Sequence, residues 1–172
     1  MNAVRKVVDV SGEVRYGKSW NFGSGLPIDE VSRDQAYSRN GRGQPYSVGF
    51  VDTPGLAQVL QVNWGQGNLS ANFLDEFGRV SSKYTFYMSK QNVLFLGDVV
   101  MFEYSTSGYV DPAYSDAIVS YLYTSDGSMT EVVSPQGGGL DKVTEFFDVD
   151  LSANFEPIPD FGDWDSIRRY DR

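Results

Sequence analysis

The chain has 172 residues, 41% of them hydrophobic and 15% aromatic, which is enough for one domain with a buried core and excludes a disordered chain. It contains neither cysteine nor histidine, which excludes disulfides, thiolate or imidazole metal sites and histidine-based catalytic triads. The net charge of −9 argues against a nucleic acid as partner, because binding to phosphates needs a positive surface.

The first quarter of the chain predicts one strand followed by an irregular segment. Residues 4–16 alternate loosely and break at Gly12, which is typical of an opening strand with a bulge. Glycine and proline punctuate residues 20–44, and this segment predicts a long flexible loop or lid. Within it, residues 28–37 could hold one short helix, since Pro27 lies near its start.

Residues 56–104 predict the strands of a β-meander, and one short strand, Tyr46–Asp52, is predicted before it. Each strand is rich in β-branched or aromatic residues, and short polar turns separate most of them. Strands joined by short turns pair with their sequence neighbours. The predicted strands are Tyr46–Asp52, 60–64, 69–73, Val80–Met88 and 93–104.

Three further strands are predicted after a loop at residues 105–115. Residues 117–124 and 129–134 predict a hairpin, because Asp126-Gly127 between them favours a tight turn. Residues 143–155 alternate over their whole length, and a strand this long is typical of a sheet that curls into a barrel. Residues 163–170 could form a last short helix.

About eight or nine strands with almost no amphipathic helix predict an all-β protein. We expect a single antiparallel β-barrel of the calycin or lipocalin kind over residues 1–172, with a sandwich as second choice. Residues 20–44 would be its lid, and residues 156–172 an acidic tail. Residues 93–104 are apolar on both faces, so we expect the 20–44 segment, the C-terminal tail or a second subunit to cover them.

Two stretches resemble the small calycin-like barrels of the MoaF and phenolic acid decarboxylase type. The V-N-W and L-S-A-N-F patterns within residues 62–73 are similar to the central strand pair of those barrels, and G-K-S-W-N-F at residues 17–22 is similar to their opening. The resemblance implies a barrel with an apolar interior. In the decarboxylases a catalytic glutamate lies two residues after the tryptophan. Here that position holds Gln66, which cannot exchange a proton, so the decarboxylase reaction is not implied.

The pentapeptide Leu-Ser-Ala-Asn-Phe occurs twice, at residues 69–73 and 151–155. A duplicated half-barrel would produce such a repeat. Two independent strand ends in a β-rich chain would also produce it, and we favour this explanation.

Glu145 is the leading candidate for chemistry, because it lies in an apolar alternation between Val143 and Phe147. A buried carboxyl group takes a raised pKa, which suits a general acid or base. Alternatively, Glu145 lies near a barrel mouth, in water or paired with an arginine. The candidate catalytic residues are Glu145, Tyr16 and Gln66, and the candidate ligand-binding residues are Trp64, Tyr84, Phe86, Met101, Tyr104, Tyr121 and Phe147.

These features lead to two hypotheses about function. The first is a barrel that binds a hydrophobic small molecule in its interior and could act as a cofactor-free cyclase or isomerase by shaping its substrate. The second is an acidic immunity-type protein that inhibits a basic toxin or nuclease by surface binding. A purely structural, oligomeric β-protein is a third.

The expected partners and location follow from the same composition. The acidic residues of the tail do not match the spacing of a calcium loop, so we expect no metal and no cofactor. We expect no membrane partner, and a homodimer is one way to cover the apolar strands. The N-terminus lacks a signal-peptide pattern, so we expect a cytoplasmic location.

Overall fold

The protein is mostly β and forms one antiparallel sheet. In the computed structural model, which describes residues 12–52, 55–90 and 92–171, eleven strands join in the order β10-β9-β8-β7-β6-β5-β4-β3-β1-β2, and β11 pairs with β7. Most of the predicted opening strand, residues 4–16, lies outside the described residues. The strands are β1 (Glu13–Asn21), β2 (Leu26–Val31), β3 (Tyr46–Asp52), β4 (Gly55–Asn63), β5 (Asn68–Leu74), β6 (Val80–Met88), β7 (Val93–Glu103), β8 (Ala117–Tyr123), β9 (Met129–Pro135), β10 (Lys142–Phe146) and β11 (Phe155–Pro157).

The expected barrel is not confirmed, because the sheet that the described strands form is not closed. Its two edge strands are β10 and β2. The meander and the hairpin across Asp126-Gly127 are confirmed, since β3 to β9 each pair with the next strand along the chain. Local turn signals therefore predicted correctly which strands pair. Closure of the barrel depends instead on whether the first and last strands of the sheet pair with each other.

The prediction of a long N-terminal lid is wrong. Residues 20–44 contain the end of β1, the strand β2 and the helix α1 (Arg33–Gly41). The predicted helix over residues 28–37 starts late, because β2 pairs with β1 as far as Val31. Ser32 then caps α1, accepting a hydrogen bond from the Gln35 amide while the Gln35 side chain accepts one from the Ser32 amide.

The predicted strand over residues 143–155 is also wrong in its extent. β10 ends at Phe146, and Asp148 has a φ of 57°, a left-handed conformation that does not continue a strand and that aspartate tolerates. A short 3₁₀ helix (Ser152–Asn154) follows, and β11 then pairs with β7. Two other 3₁₀ helices are Trp64–Gln66 and Pro112–Tyr114.

The core lies on one face of strands β1–β7, which we name the inner face. The helix α1 contributes Ala36 to it, and the C-terminal segment, residues 155–171, contributes Trp164 and Ile167, which are 3% and 0% exposed. The strands contribute Tyr16, Tyr46, Val48, Phe50, Leu60, Val62, Leu69, Ala71, Tyr84, Phe86, Leu94 and Leu96. The C-terminal segment therefore acts as the cover of the inner face.

The C-terminal segment differs from the expected tail because its apolar residues recur at every third position. These residues are Ile158, Phe161, Trp164, Ile167 and Tyr170. The predicted helix over residues 163–170 is absent, and a series of turns takes its place. The Phe161 ring stacks on Tyr16 with centroids 5.9 Å apart, and the Tyr170 ring stacks on Tyr84 at 6.0 Å. The aspartates between these residues are exposed.

Candidate protein-binding surface

The sheet has two parts with different surroundings. Strands β1–β7 carry the core on their inner face, whereas β8, β9 and β10 extend beyond the C-terminal cover. No residue of these three strands is buried, in contrast to β5, in which four of seven residues are buried. We name β8, β9 and β10 the wing.

The wing starts where β7 changes its pairing partner. The first part of β7 pairs with β11, so that Phe95 lies opposite Phe155, and the second part pairs with β8, so that Asp98 lies opposite Leu122. At the junction the buried Asn154 side chain donates a hydrogen bond to the Leu96 carbonyl at 2.9 Å. The C-terminal segment therefore enters the core at the junction. It does not cover the wing, which remains a single layer.

Both faces of the wing carry apolar side chains. Leu122, Val143 and Phe146 are 42%, 58% and 39% exposed. On the inner side Met101, Val119 and Val133 lie side by side, and on the outer side Val100, Val132 and Val143 fall in one row with Ser120. A sheet needs cover for each apolar face, so this arrangement favours contact with another molecule.

The negative charge of the chain is concentrated in and around the wing. Residues 98–150 contain ten aspartates and glutamates and one basic residue, Lys142, which gives −9. The remaining 119 residues contain thirteen acidic and thirteen basic residues and are therefore neutral overall. None of the ten carboxylates forms an ion pair with another described residue.

Carboxylates flank the apolar centre of the wing at both ends. At one end, the Val149 amide donates to the Gly127 carbonyl at 2.9 Å, which brings Asp148 and Asp150 to the turn that holds Asp126. At the other end, the Asp116 amide donates to the Glu103 carbonyl at 2.7 Å. An apolar centre with a charged rim is the usual anatomy of a protein interface.

Hydrogen bonds lower the pKa of two of these carboxylates. The Thr124 and Ser128 side chains donate to Asp126 and hold its pKa below the usual range, as the Ser152 amide and hydroxyl do for Asp150. Both groups therefore remain negative at neutral and mildly acidic pH.

Three of the predicted site residues lie in the core, and a fourth packs against it. Tyr84 and Phe86 are 8% and 0% exposed, and Tyr16 is 9% exposed. Burial raises the pKa of Tyr16, although Arg33 beside it acts in the opposite direction. Trp64 packs against the core and donates its indole N–H to Asn40 Oδ1 at 2.7 Å. The packing of these side chains stabilises the sheet.

Three other predicted residues lie in or beside the wing. Tyr121 and Met101 lie on its inner side, with Met101 on the adjoining end of β7, and Phe147 follows β10 and is 72% exposed. Two further predicted residues lie elsewhere. Tyr104 donates to the Val80 carbonyl at 2.7 Å, and Gln66 is exposed in a 3₁₀ helix.

Glu145 lies on the outer side of β10 opposite Thr130 and is exposed. The predicted catalytic residues are therefore not brought together, since Tyr16 lies on the inner face and seven strands separate β1 from β10 in the sheet. Glu145 instead belongs to the charged rim of the wing. Sequence reasoning missed this surface, although the run of acidic residues between positions 98 and 150 could have indicated it.

Among the described residues, no group of three or more carboxylates lies close enough to hold a metal ion. In the same part of the chain, no helix has the length and apolar character to cross a membrane. Comparison of the chain with models of protein families, with curated proteins and with solved structures finds no match. The likeness to the MoaF and decarboxylase barrels therefore stays a prediction.

Proposed function

We propose that this protein binds a basic protein through the wing and masks its surface, as an immunity-type inhibitor would. The observation that carries this proposal is the coincidence of two features. The strands that no other described segment covers are also the strands around which all of the net charge lies. A basic protein supplies both the missing cover and the opposite charge.

The size of the wing shows how much else such a partner must contact. β8 and β9 have seven residues each and β10 has five, so at roughly 3.3 Å per residue and about 4.8 Å between strands one face measures about 300 Å². This is less than the roughly 800 Å² that one partner buries in a typical specific complex, so the partner must also contact the charged rim. A partner that covers one face could gain further contacts at β10, whose outward edge pairs with no described strand.

Charge argues against a second copy of the chain as the partner. If two wings came together, residues 98–150 of each chain would bring a net charge of −9 to the contact, and like charges facing each other cost several kcal/mol. Lys142 is the one basic residue in this stretch, which leaves nearly all of the carboxylates without a counter-charge in a symmetric pair.

The packing gives less support to a ligand in the interior. Phe161, Trp164 and Ile167 of the C-terminal segment lie on the inner face, where an interior ligand would bind. The small-molecule and cyclase hypothesis stays a prediction, and it would require this segment to move.

A capture experiment with two matched variants tests the proposal. The wing variant carries Glu131→Gln and Glu145→Gln in the wing and Asp141→Asn directly before β10, three carboxylates with no ion pair to a described residue. The control variant carries Glu13→Gln, Asp34→Asn and Glu76→Gln, which are exposed and lie outside the wing. Both variants lose three negative charges, so they differ in the place of the charge alone.

Each immobilised chain is exposed to a lysate of the organism that encodes it, and retained proteins are identified by mass spectrometry. We expect the native chain and the control to retain a basic protein at about 20 mM salt and release it at about 500 mM, where screening is strong. The wing variant should not retain it. Equal retention by both variants, or retention that salt does not change, would contradict the proposal.

A further inference from the structure

A cleft lies on the outer side of the sheet, opposite the core, and borders the turn between β8 and β9 at one end of the wing. It has a volume of about 570 Å³, within the range of sites that bind small molecules. Five segments meet there: the end of β6, the turn that follows it, the start of β7, the strand β11, and the turn between β8 and β9. The cleft, which we name the aromatic cleft, is lined by Tyr87, Met88, Lys90, Phe95, Ser125 and Phe155 together with Ser89.

Its aromatic walls are held in place. Phe95 is 8% exposed and contacts Phe155, with ring centroids 5.1 Å apart and planes 45° apart. The Tyr87 ring lies against Gly97, where an added Cβ would come within 2.8 Å of the ring, and the Tyr87 hydroxyl donates to Asp98. Walls fixed in this way lose little conformational entropy when a ligand binds.

The cleft also has a directional polar feature. Among the described residues that line the cleft, Lys90 is the one charged residue, and it forms no ion pair with a described carboxylate. It lies in the turn between β6 and β7, at the end of the aromatic wall. The Ser125 hydroxyl adds a hydrogen-bonding group from the opposite segment.

We propose that the aromatic cleft binds a small aromatic carboxylate. The flat apolar part of such a molecule would lie between Tyr87, Phe95 and Phe155, and its carboxylate would face Lys90. Aromatic rings stack favourably at centroid separations of 4.5–7 Å, and a lysine ammonium offers a flexible point charge to a carboxylate. This site is independent of the basic partner proposed for the wing.

The test uses 3-phenylpropionate and its neutral amide as probes, followed by amide chemical shifts in nuclear magnetic resonance spectra. A ligand of this size should bind with a Kd on the order of 1 mM. We expect saturable shifts at residues 87–90, 95, 125 and 155, with the carboxylate bound about five-fold more tightly than the amide, a difference in the range of an exposed charge pair.

Three variants separate the parts of the site. Lys90→Gln should remove the preference for the carboxylate over the amide, and Lys83→Gln, a lysine on β6 outside the cleft lining, should leave it unchanged. Phe155→Ser, at a side chain that is 40% exposed, should weaken both probes. The dispersion of each spectrum reports whether the variant is folded.

Several results would overturn the proposal. One is the absence of localised shifts in the native chain at about 20 mM probe, well above the expected Kd. Another is an unchanged preference for the carboxylate in Lys90→Gln. A third is a set of shifts centred on other residues. None of these results depends on whether the wing binds a basic protein.

Discussion

Truncating one aliphatic side chain in the C-terminal segment and one in the wing should have very different effects on stability. Ile167 is 0% exposed and belongs to the core, whereas Leu122 is 42% exposed on the outer side of β8. Ile167→Ala and Leu122→Ala each remove three carbon atoms. The chemistry of the change is therefore matched, and the surroundings differ.

The expected magnitudes follow from burial. Ile167→Ala loses the transfer free energy of three buried groups and leaves a cavity, so it should lower the free energy of unfolding by about 2–5 kcal/mol. For Leu122→Ala, three carbons at about 0.8 kcal/mol each, reduced because 42% of the side chain is already exposed, give a loss of about 1.4 kcal/mol or less. No rigid cavity forms at the surface of the wing.

Urea unfolding of the purified variants, followed by tryptophan fluorescence, measures both values. A loss from Ile167→Ala of less than about 1 kcal/mol, below the range for a core truncation, would refute the placement of the C-terminal segment in the core. An equal or larger loss from Leu122→Ala would refute the description of the wing as an uncovered layer.

Three further predictions concern other parts of the sheet. Gly49→Ala should lower the free energy of unfolding by about 1–3 kcal/mol, because the added Cβ would lie 2.1 Å from the ring of the buried Trp20. A urea midpoint equal to that of the native chain would contradict this contact. Arg79→Lys should cost about 1–3 kcal/mol, because the Arg79 side chain is 7% exposed, binds Asp75 and lies 4.3 Å from the Tyr104 ring centroid. Burial raises the pKa of Tyr104 to about 12, whereas a tyrosine in the unfolded chain ionises near about pH 10. The free energy of unfolding should therefore fall as the pH rises from about 10 to about 12. The native state then binds the proton more tightly than the unfolded state, so stability is present below pH 10 and is lost above it; Tyr104→Phe should reduce this loss, and an unchanged slope would contradict the assignment.

The sequence predicted the strands whose signals are local. The meander and the Asp126-Gly127 hairpin depend on turns of a few residues, and such turns force the neighbouring strands to pair. The pentapeptide Leu-Ser-Ala-Asn-Phe shows the limit of this approach. At residues 69–73 it lies in the central strand β5, whereas at residues 151–155 it spans a 3₁₀ helix and the start of β11.

The failed predictions depended on long-range contacts. Closure into a barrel required β10 to meet the other edge of the sheet, but the chain turns at Asp148 and returns to β7 instead. Glu145 was expected to be buried on the strength of an alternation that extends past the true end of β10. Alternation reports that a strand has two faces, and it does not report whether either face is covered.

The candidate surface could be identified only from the sequence and the sheet topology together. The acidic residues between positions 98 and 150 can be counted in the sequence. The sequence does not show that β8, β9 and β10 form a layer without buried residues. This follows from the path of the C-terminal segment, which covers β1–β7 and not the wing.

The most direct test of the proposed function is amide hydrogen exchange on the chain alone and in complex with the basic protein recovered by the capture experiment. We predict slower exchange in residues 117–146 of the complex and unchanged exchange in α1 and β2, which lie at the other end of the sheet. Protection of α1 and β2 with no change in the wing would contradict the account.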